Sequence, residues 1–494
     1  MRIEKAAIAQ VRRYRNVALS LLKIIKLRTF IDNVTDTQRS PPYHKEDKDM
    51  KKPISIALAA LMIASLTACG GGSGSSSGSS DAAPATSGDA AASTSEAGGK
   101  KLTLWAWDAN FNIPAMQAAA DDYKANVDPE FELEIVTQAQ SSDVENAITT
   151  SNGDYSLLPD ITLFQDHYAD SYIRSYPGVF IPVDDAGVNW DDFGQEKLSY
   201  SVVDGQHYGF PVDAGTAIMA YRVDLLEQCG YSMADMTGCS WDKFIEVGEK
   251  VYAETGKYLV SMDGDGNDLI YMMMQAEGVS QFNDDGTPNF AANDTLKAVV
   301  GKIVEMSQKK VLFLANGWSD YCDQTITGDQ VAGVLNGNWI IPTMKTCEAN
   351  AGKWEITSLP TLNGGEGYAS NGGSSLYITG NCQNTELAKA FLAYTFGGST
   401  VTYDGALKNG GVVTCCLSAG QSDVYNEGVE FFNNTPIYAQ IAEMTGHVPT
   451  VAQSTYHYSA RKYLATAIVN IINGADLDAE IQNAEDQLKF EMGI

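Results

Sequence analysis

Residues 101–136 read KLTLWAWDANFNIPAMQAAADDYKANVDPEFELEIV, and the order of patterns in them decides the fold class. Leu102 to Trp107 is a short run rich in β-forming side chains. Ile113 to Asn126 has helical composition, with Pro114 near its start, where the missing N–H is tolerated. Phe131 to Val136 alternates apolar and acidic residues with the period of two of a half-buried strand. A helix is expected from about Asp143 to Thr150, and Pro159 to Phe164 (PDITLF) reads as a buried strand ending at Gln165-Asp166. This βαβαβ order predicts a parallel, doubly wound α/β lobe.

The same alternation continues downstream. Ser240 is placed to cap a helix in which Trp241, Phe244, Ile245, Val251 and Tyr252 share a face. Glu386 to Phe396 carries Leu387, Ala390, Phe391 and Tyr394 on one stripe and stops at Gly397-Gly398. Two helices close the chain, one with Leu464, Ile468, Ile471 and Ile472, the other with Leu477, Ile481, Ala484 and Leu488. No internal repeat is visible.

The chain has 494 residues, enough for roughly two to three domains and a core that needs no stapling. Hydrophobic residues at 44% exclude a charge-rich disordered chain. A formal net charge of −29 gives no general reason to bind nucleic acid. Five histidines leave little material for a multi-histidine metal centre, and no cofactor is expected.

Residues 50–68, MKKPISIALAALMIASLTA, combine basic Lys51 and Lys52 with a short apolar stretch, the pattern of a cleaved signal peptide. Leu66-Thr67-Ala68-Cys69 resembles the lipobox of bacterial lipoproteins, which implies that Cys69 is lipid-modified and becomes the new N-terminus. Residues 1–49 are basic and only weakly amphipathic, so translation is expected to begin at Met50, with 1–49 a mis-assigned upstream extension. Removing residues 1–68 takes away 13 basic and 6 acidic side chains, leaving 20 and 56, a net −36. Residues 69–99 form a Gly/Ser/Ala-rich stretch that cannot bury surface, a flexible tether of about 30 Å coil dimension. No later segment approaches 18 uninterrupted apolar residues, so the expected membrane contact is the lipid alone, on the extracellular face.

The segment order resembles the extracellular solute-binding proteins of ABC importers, the sugar-binding group that includes maltose-binding protein. The matching stretches are LTLWAWD (102–108), PDITLFQD (159–166), FPVDAGTAIMAYRVDLL (210–226), WDKFIEVG (241–248), VLNGNWII (334–341), WEITSLP (354–360) and NTELAKAFLAYT (384–395). They lie in the family's order over about residues 101–400, and the last hundred residues match only as a generic helical segment. The resemblance implies a two-lobed, periplasmic-binding-protein-like α/β fold, each lobe a doubly wound sheet with flanking helices, hinged around a cleft. It implies one lobe over 101–210 plus 355–400 and the other over 211–354 plus 401–494. It also implies a monomer that captures a mono- or oligosaccharide by lobe closure and delivers it to ABC-transporter permease subunits, without catalysis.

A sugar presents hydroxyls in its ring plane and C–H patches on its faces, so its site needs aromatic faces, carboxylates and amides. Few Lys and Arg in the body suit a neutral polyol better than a phosphorylated solute. The candidate binding residues are Trp107, Asp108 and Asn110 after the first strand, Asp166 and His167 after PDITLF, and Asp213 in the crossover beside Gly215 and Thr216. Trp339 matches a family motif whose Trp stacks on a sugar ring. Gly373 and Ser374, within Ser370–Ser374, and Tyr456, within Tyr456-His457-Tyr458, complete the set.

Asp263-Gly264-Asp265-Gly266-Asn267-Asp268 has acidic spacing like a calcium loop, but the twelfth position is Met274 rather than a bidentate Glu. It is read as an acidic turn at the cleft rim, with Asp268 a further candidate for the solute. Seven cysteines follow Cys69; Cys229 with Cys239 and Cys322 with Cys347 are the candidate disulfides, and Cys382 has Cys415 or Cys416. No C-x-x-C occurs, so zinc is not expected. The alternatives are a lipid-anchored glycoside hydrolase, which would need two carboxylates about 5–10 Å apart, and the same fold binding a peptide or polyamine.

Overall fold

In the computed structural model, which describes residues 99–494 other than 110, 139, 265 and 267, the first strand sends alternate side chains into two separate cores. Leu102, Leu104 and Ala106 of β1 (Lys101–Ala106) enter one cluster and Trp105 enters another. A strand buried on both faces belongs in the middle of a sheet covered by helices on each side. The chain continues through α1 (Asn112–Asn126), β2 (Glu132–Thr137), α2 (Ser141–Thr150), β3 (Ile161–Gln165) and α3 (Asp166–Ser175). β2, β1 and β3 pair in parallel, with Leu104 opposite Ile135 on one side and Ile161 on the other. Asp160, just before β3, accepts from Thr103 N and Thr103 Oγ1 at 2.8 Å each and fixes that register. The short α4 (Gln195–Ser199) and β4 (Gly209–Pro211) complete the outward pass.

Val212 to Thr216 cross to a second lobe, which opens with β5 (Ala217–Arg222). Ser240 caps α5 (Trp241–Thr255) by accepting from Lys243 N at 3.2 Å, and Gly256 ends the helix in the left-handed region. Then come β6 (Val260–Met262), α6 (Leu269–Ala276), α7 (Asp294–Gln308), β7 (Leu312–Leu314), β8 (Gly333–Gly337) and β9 (Trp354–Thr357). β5 is flanked by β8 and β9, both antiparallel, and β6 pairs with β7 in parallel. The second lobe is therefore built on mixed strands rather than one parallel sheet.

The chain returns at β10 (Ser374–Ile378), which lies antiparallel between β3 and β4. Next, α8 (Thr385–Tyr394) packs in the first lobe, and α9 (Thr400–Gly410) packs along α1. A third crossing near Val413 leads to α10 (Ile437–Thr445), α11 (His457–Ile472) and α12 (Leu477–Met492), the last two packed on each other in the second lobe. Two expected lobe boundaries move accordingly. Residues 355–357 belong to the second lobe because β9 pairs with β5, and residues 401–410 belong to the first because α9 packs on α1.

The crossings are bonded to one another. Val212 N donates to Ser374 O, Asn371 N to Gly215 O, Ala217 N to Ala369 O, and Ala214 N to Val413 O, all within 3.1 Å. The extension over 1–49, the signal peptide over 50–68, Cys69 and the tether up to residue 98 lie outside the described residues. All seven described cysteines are free thiols, so neither Cys229–Cys239 nor Cys322–Cys347 is formed; five of the seven are buried among apolar side chains, where they pack as small hydrophobes. Among the described residues no helix is long and apolar enough to cross a membrane.

Candidate functional site

A cleft of about 830 Å³ opens between the lobes, outside the carboxyl ends of β1, β2 and β3. That position is where open α/β sheets present ligand sites, because loops rather than ladder hydrogen bonds occupy the strand ends. From the first lobe it is lined by Trp107 and Asp108 after β1, Gln140 to Ser142 and Glu145 at α2, Gln165 at the end of β3 and Tyr168 in α3. From the second lobe come Asp263, Asp268, Trp318, Asn336, Trp339, Tyr458 and Arg461, and the hinge adds Asp213 and Asn371 to Ser374.

The indole of Trp339 is held by a chain of buried amides. Tyr321 Oη accepts from Asn336 Nδ2 at 3.1 Å, Asn336 Oδ1 accepts from Asn371 Nδ2 at 2.7 Å, and Asn371 O accepts from Trp339 Nε1 at 2.7 Å. Gly337 makes room for it, since a Cβ there would lie 2.3 Å from Trp339 Nε1. Trp318 sits 5.7 Å from Trp339, stacks on Tyr321 at 5.2 Å and remains 45% exposed. Trp107 faces the cleft from the opposite lobe, half-buried against both first-lobe cores. The site thus has indoles on both walls.

Beneath the hinge lies a buried charged floor. Asp166 pairs with Lys197 and accepts from Ser375 Oγ at 2.9 Å, while Asp213 Oδ1 accepts from Ser374 N at 2.9 Å. Burial pushes both carboxyls up, opposed by the Lys197 ammonium. Gly373, at φ +102°, covers this pair; a Cβ there would meet Asp166 Oδ2 and Lys197 Nζ at 2.7 Å. Asp268 is buried with both oxygens engaged, Oδ1 with His457 Nε2 at 3.2 Å and Oδ2 with Arg461 Nη1 at 2.9 Å. Burial opposes its ionisation, but Arg461 and His457 hold it well below the usual carboxylate range.

Of the candidates read from sequence, Trp107, Asp108, Asp213, Asp268, Trp339, Gly373 and Ser374 line the cleft. Three others do not. Asp166 is buried under Gly373, His167 is packed on His457, and Tyr456 packs on the second-lobe core. Asn110 lies outside the described residues. Sequence reasoning missed Glu145, Trp318, Asn336 and Arg461. For Trp318 a signal existed, an aromatic residue just past β7, the same placement as Trp107 after β1.

Residues 118–433 match a family described as bacterial extracellular solute-binding protein. A lactose-binding protein of Rhizobium radiobacter is 33% identical over 399 residues, 80% of this chain and 93% of that protein. An arabinooligosaccharide-binding protein of Halalkalibacterium halodurans is 22% identical over 303 residues, 60% of this chain and 67% of that protein. Among solved structures, the galacto-N-biose-/lacto-N-biose I-binding protein of an ABC transporter from Bifidobacterium longum, in complex with lacto-N-biose, superposes with a TM-score of 0.65. It is 18% identical and covers 81% of this chain and 99% of its own. The sugar-binding protein MalE of Xanthomonas citri gives a TM-score of 0.64 at 18% identity, over 78% of this chain and 96% of its own. These two structures are similar in fold.

Proposed function

Because this chain belongs to the bacterial extracellular solute-binding proteins, we propose that its cleft captures a neutral mono- or oligosaccharide by lobe closure and delivers it to an ABC-transporter permease. The observation that carries the reading is the set of three indoles, Trp107 on one wall and Trp318 and Trp339 on the other, around a cleft rich in amides and carboxylates. Indole faces cover the C–H patches of a pyranose, and carboxylates and amides bridge its hydroxyls. The cleft volume falls in the usual small-molecule range of about 300–1,000 Å³. Among the described residues the single cationic side chain of the lining, Arg461, is engaged by Asp268, which leaves no unengaged guanidinium there to hold a phosphate or carboxylate.

The family and the curated relatives are binding proteins rather than enzymes, so the hydrolase alternative falls away. Asp213 and Asp268 serve partners within the protein rather than a cationic solute. We place the mature chain outside the cell as a monomer tethered through a lipid on Cys69, on the strength of the lipobox-like LTAC and the Gly/Ser-rich leash behind it.

Isothermal titration calorimetry against lactose, maltose, arabinooligosaccharides and maltodextrins tests the reading. Saturable binding of at least one is expected, and Trp318→Ala should weaken it about tenfold. Silence across the panel, together with no ligand-induced rise in unfolding free energy, would overturn it.

A further inference from the structure

At one end of the cleft the two lobes meet through a pair of histidines. His167, in the first turn of α3, stacks on His457, the first residue of α11, with ring centroids 3.9 Å apart and planes 3° from parallel. Both are buried, at 5% and 1% exposure. Tyr200 presents its ring edge-on to His167, and Tyr271 and Tyr458 to both histidines. Asp268, ionised by Arg461, accepts the Nε2–H of His457, while His457 Nδ1 and both nitrogens of His167 have no hydrogen-bond partner among the described residues.

This enclosure leaves no place for a charge on His167. A further proton on His167 would bury a second N–H with no acceptor among the described residues. The cations Lys197 on α4 and Arg461 on α11 both oppose charge on His167, and Asp268 favours it. Lys197 is paired to Asp166, and the remaining nearby carboxylate, Glu196, is engaged by Tyr200 and Ser370. In keeping with this, burial and then His457 hold His167 well below the ordinary histidine value.

We propose that the His167–His457 stack is a proton-sensitive positioning contact between the lobes, closed when His167 is neutral and parted by its protonation at mildly acidic pH. The inference rests on the capture reading for its effect on affinity. A histidine freed into water titrates near 6.5, so closure at pH 5.5 must first shed a proton. For one proton the linked loss of solute affinity between pH 7.5 and 5.5 is at most about tenfold, and about fivefold where half of the sugar-free protein holds the stack at pH 7.5.

The experiment measures lactose affinity by calorimetry, and the radius of gyration without sugar by small-angle X-ray scattering, at both pH values. The protein should bind lactose about fivefold more weakly at pH 5.5 and expand there. His167→Phe, which keeps a flat ring but cannot titrate, should show less than a twofold change and no expansion. NMR titration of the imidazole C2–H resonances in the unaltered protein, with lactose, should place His167 well below 6.5. The proposal is overturned if affinity and radius are the same at both pH values, if His167→Phe keeps the full pH dependence, or if His167 titrates at its ordinary value. Failure of lactose to bind at either pH counts against the capture reading for that sugar, and the scattering still decides the contact.

Discussion

Glu145 shows what an acidic residue gains from its surroundings rather than from its position in the chain. On the helix it reads as one more solvated carboxylate in a protein full of them. In the fold it faces the cleft beside Ser141 and the Tyr168 ring, and burial pushes its carboxyl up to about 7. The unfolded carboxyl loses its proton near 4.5, so between those values the folded state holds a proton that the unfolded state has released. This group therefore makes stability fall as pH rises from about 4.5 through 7. Glu145→Gln should remove that fall. Urea unfolding is expected to show the variant more stable than the parent at pH 8, with the difference shrinking at pH 5. An equal difference at both pH values would contradict the assignment. Asp166 and His167 teach the same lesson in reverse. Polar residues at a strand's carboxyl end suggest solvent and solute, but Lys197, 31 residues from Asp166, and His457 on the other lobe cover them.

Elements built from local patterns were legible. The alternation at 131–136 became β2, PDITLF became β3, the run after Pro114 became α1, and Ser240 capped α5. What sequence could not give was which lobe a strand joins. The pairing of β9 with β5 spans more than a hundred residues, and nothing local in WEIT distinguishes it from a strand of the first sheet. The hinge strand entering β10 shows how tightly such long-range placement binds a single residue. Gly373 takes a left-handed φ of +102° and lies over the Asp166–Lys197 pair with no space for a Cβ. Gly373→Ala combines backbone strain with displacement of a buried ion pair, and a loss of about 2–4 kcal/mol in unfolding free energy is expected. Gly205→Ala is the control: it shares a positive φ, at +80°, but has open space around it, so it should cost only the strain. Equal losses in the two variants would show that the buried pair contributes nothing at this position.

For the whole molecule, chain length explains why cysteines in an extracellular-family protein stand unpaired. A body of about four hundred residues buries enough apolar surface to hold together without cross-links. Its thiols sit within that core rather than between loops. Cys229, Cys239, Cys382, Cys415 and Cys416 are buried, and Cys322 and Cys347 are half-buried. Burial pushes the thiols of Cys239, Cys322 and Cys382 up, to about 11, 12 and 12, so little of the reactive thiolate forms at neutral pH. A thiol reagent such as Ellman's should therefore react slowly with the folded protein purified without reductant, and rapidly once guanidinium unfolds it. The number of groups released then reports on the far end of the chain. Eight cysteines are encoded, and a lipid on the Cys69 sulfur blocks one of them. Membrane-extracted protein should yield seven thiols per chain. A Cys69→Ser variant should also yield seven but appear in the soluble fraction. Eight thiols from the extracted protein would mean that Cys69 is unmodified, and five or fewer would mean that at least one disulfide forms in the cell.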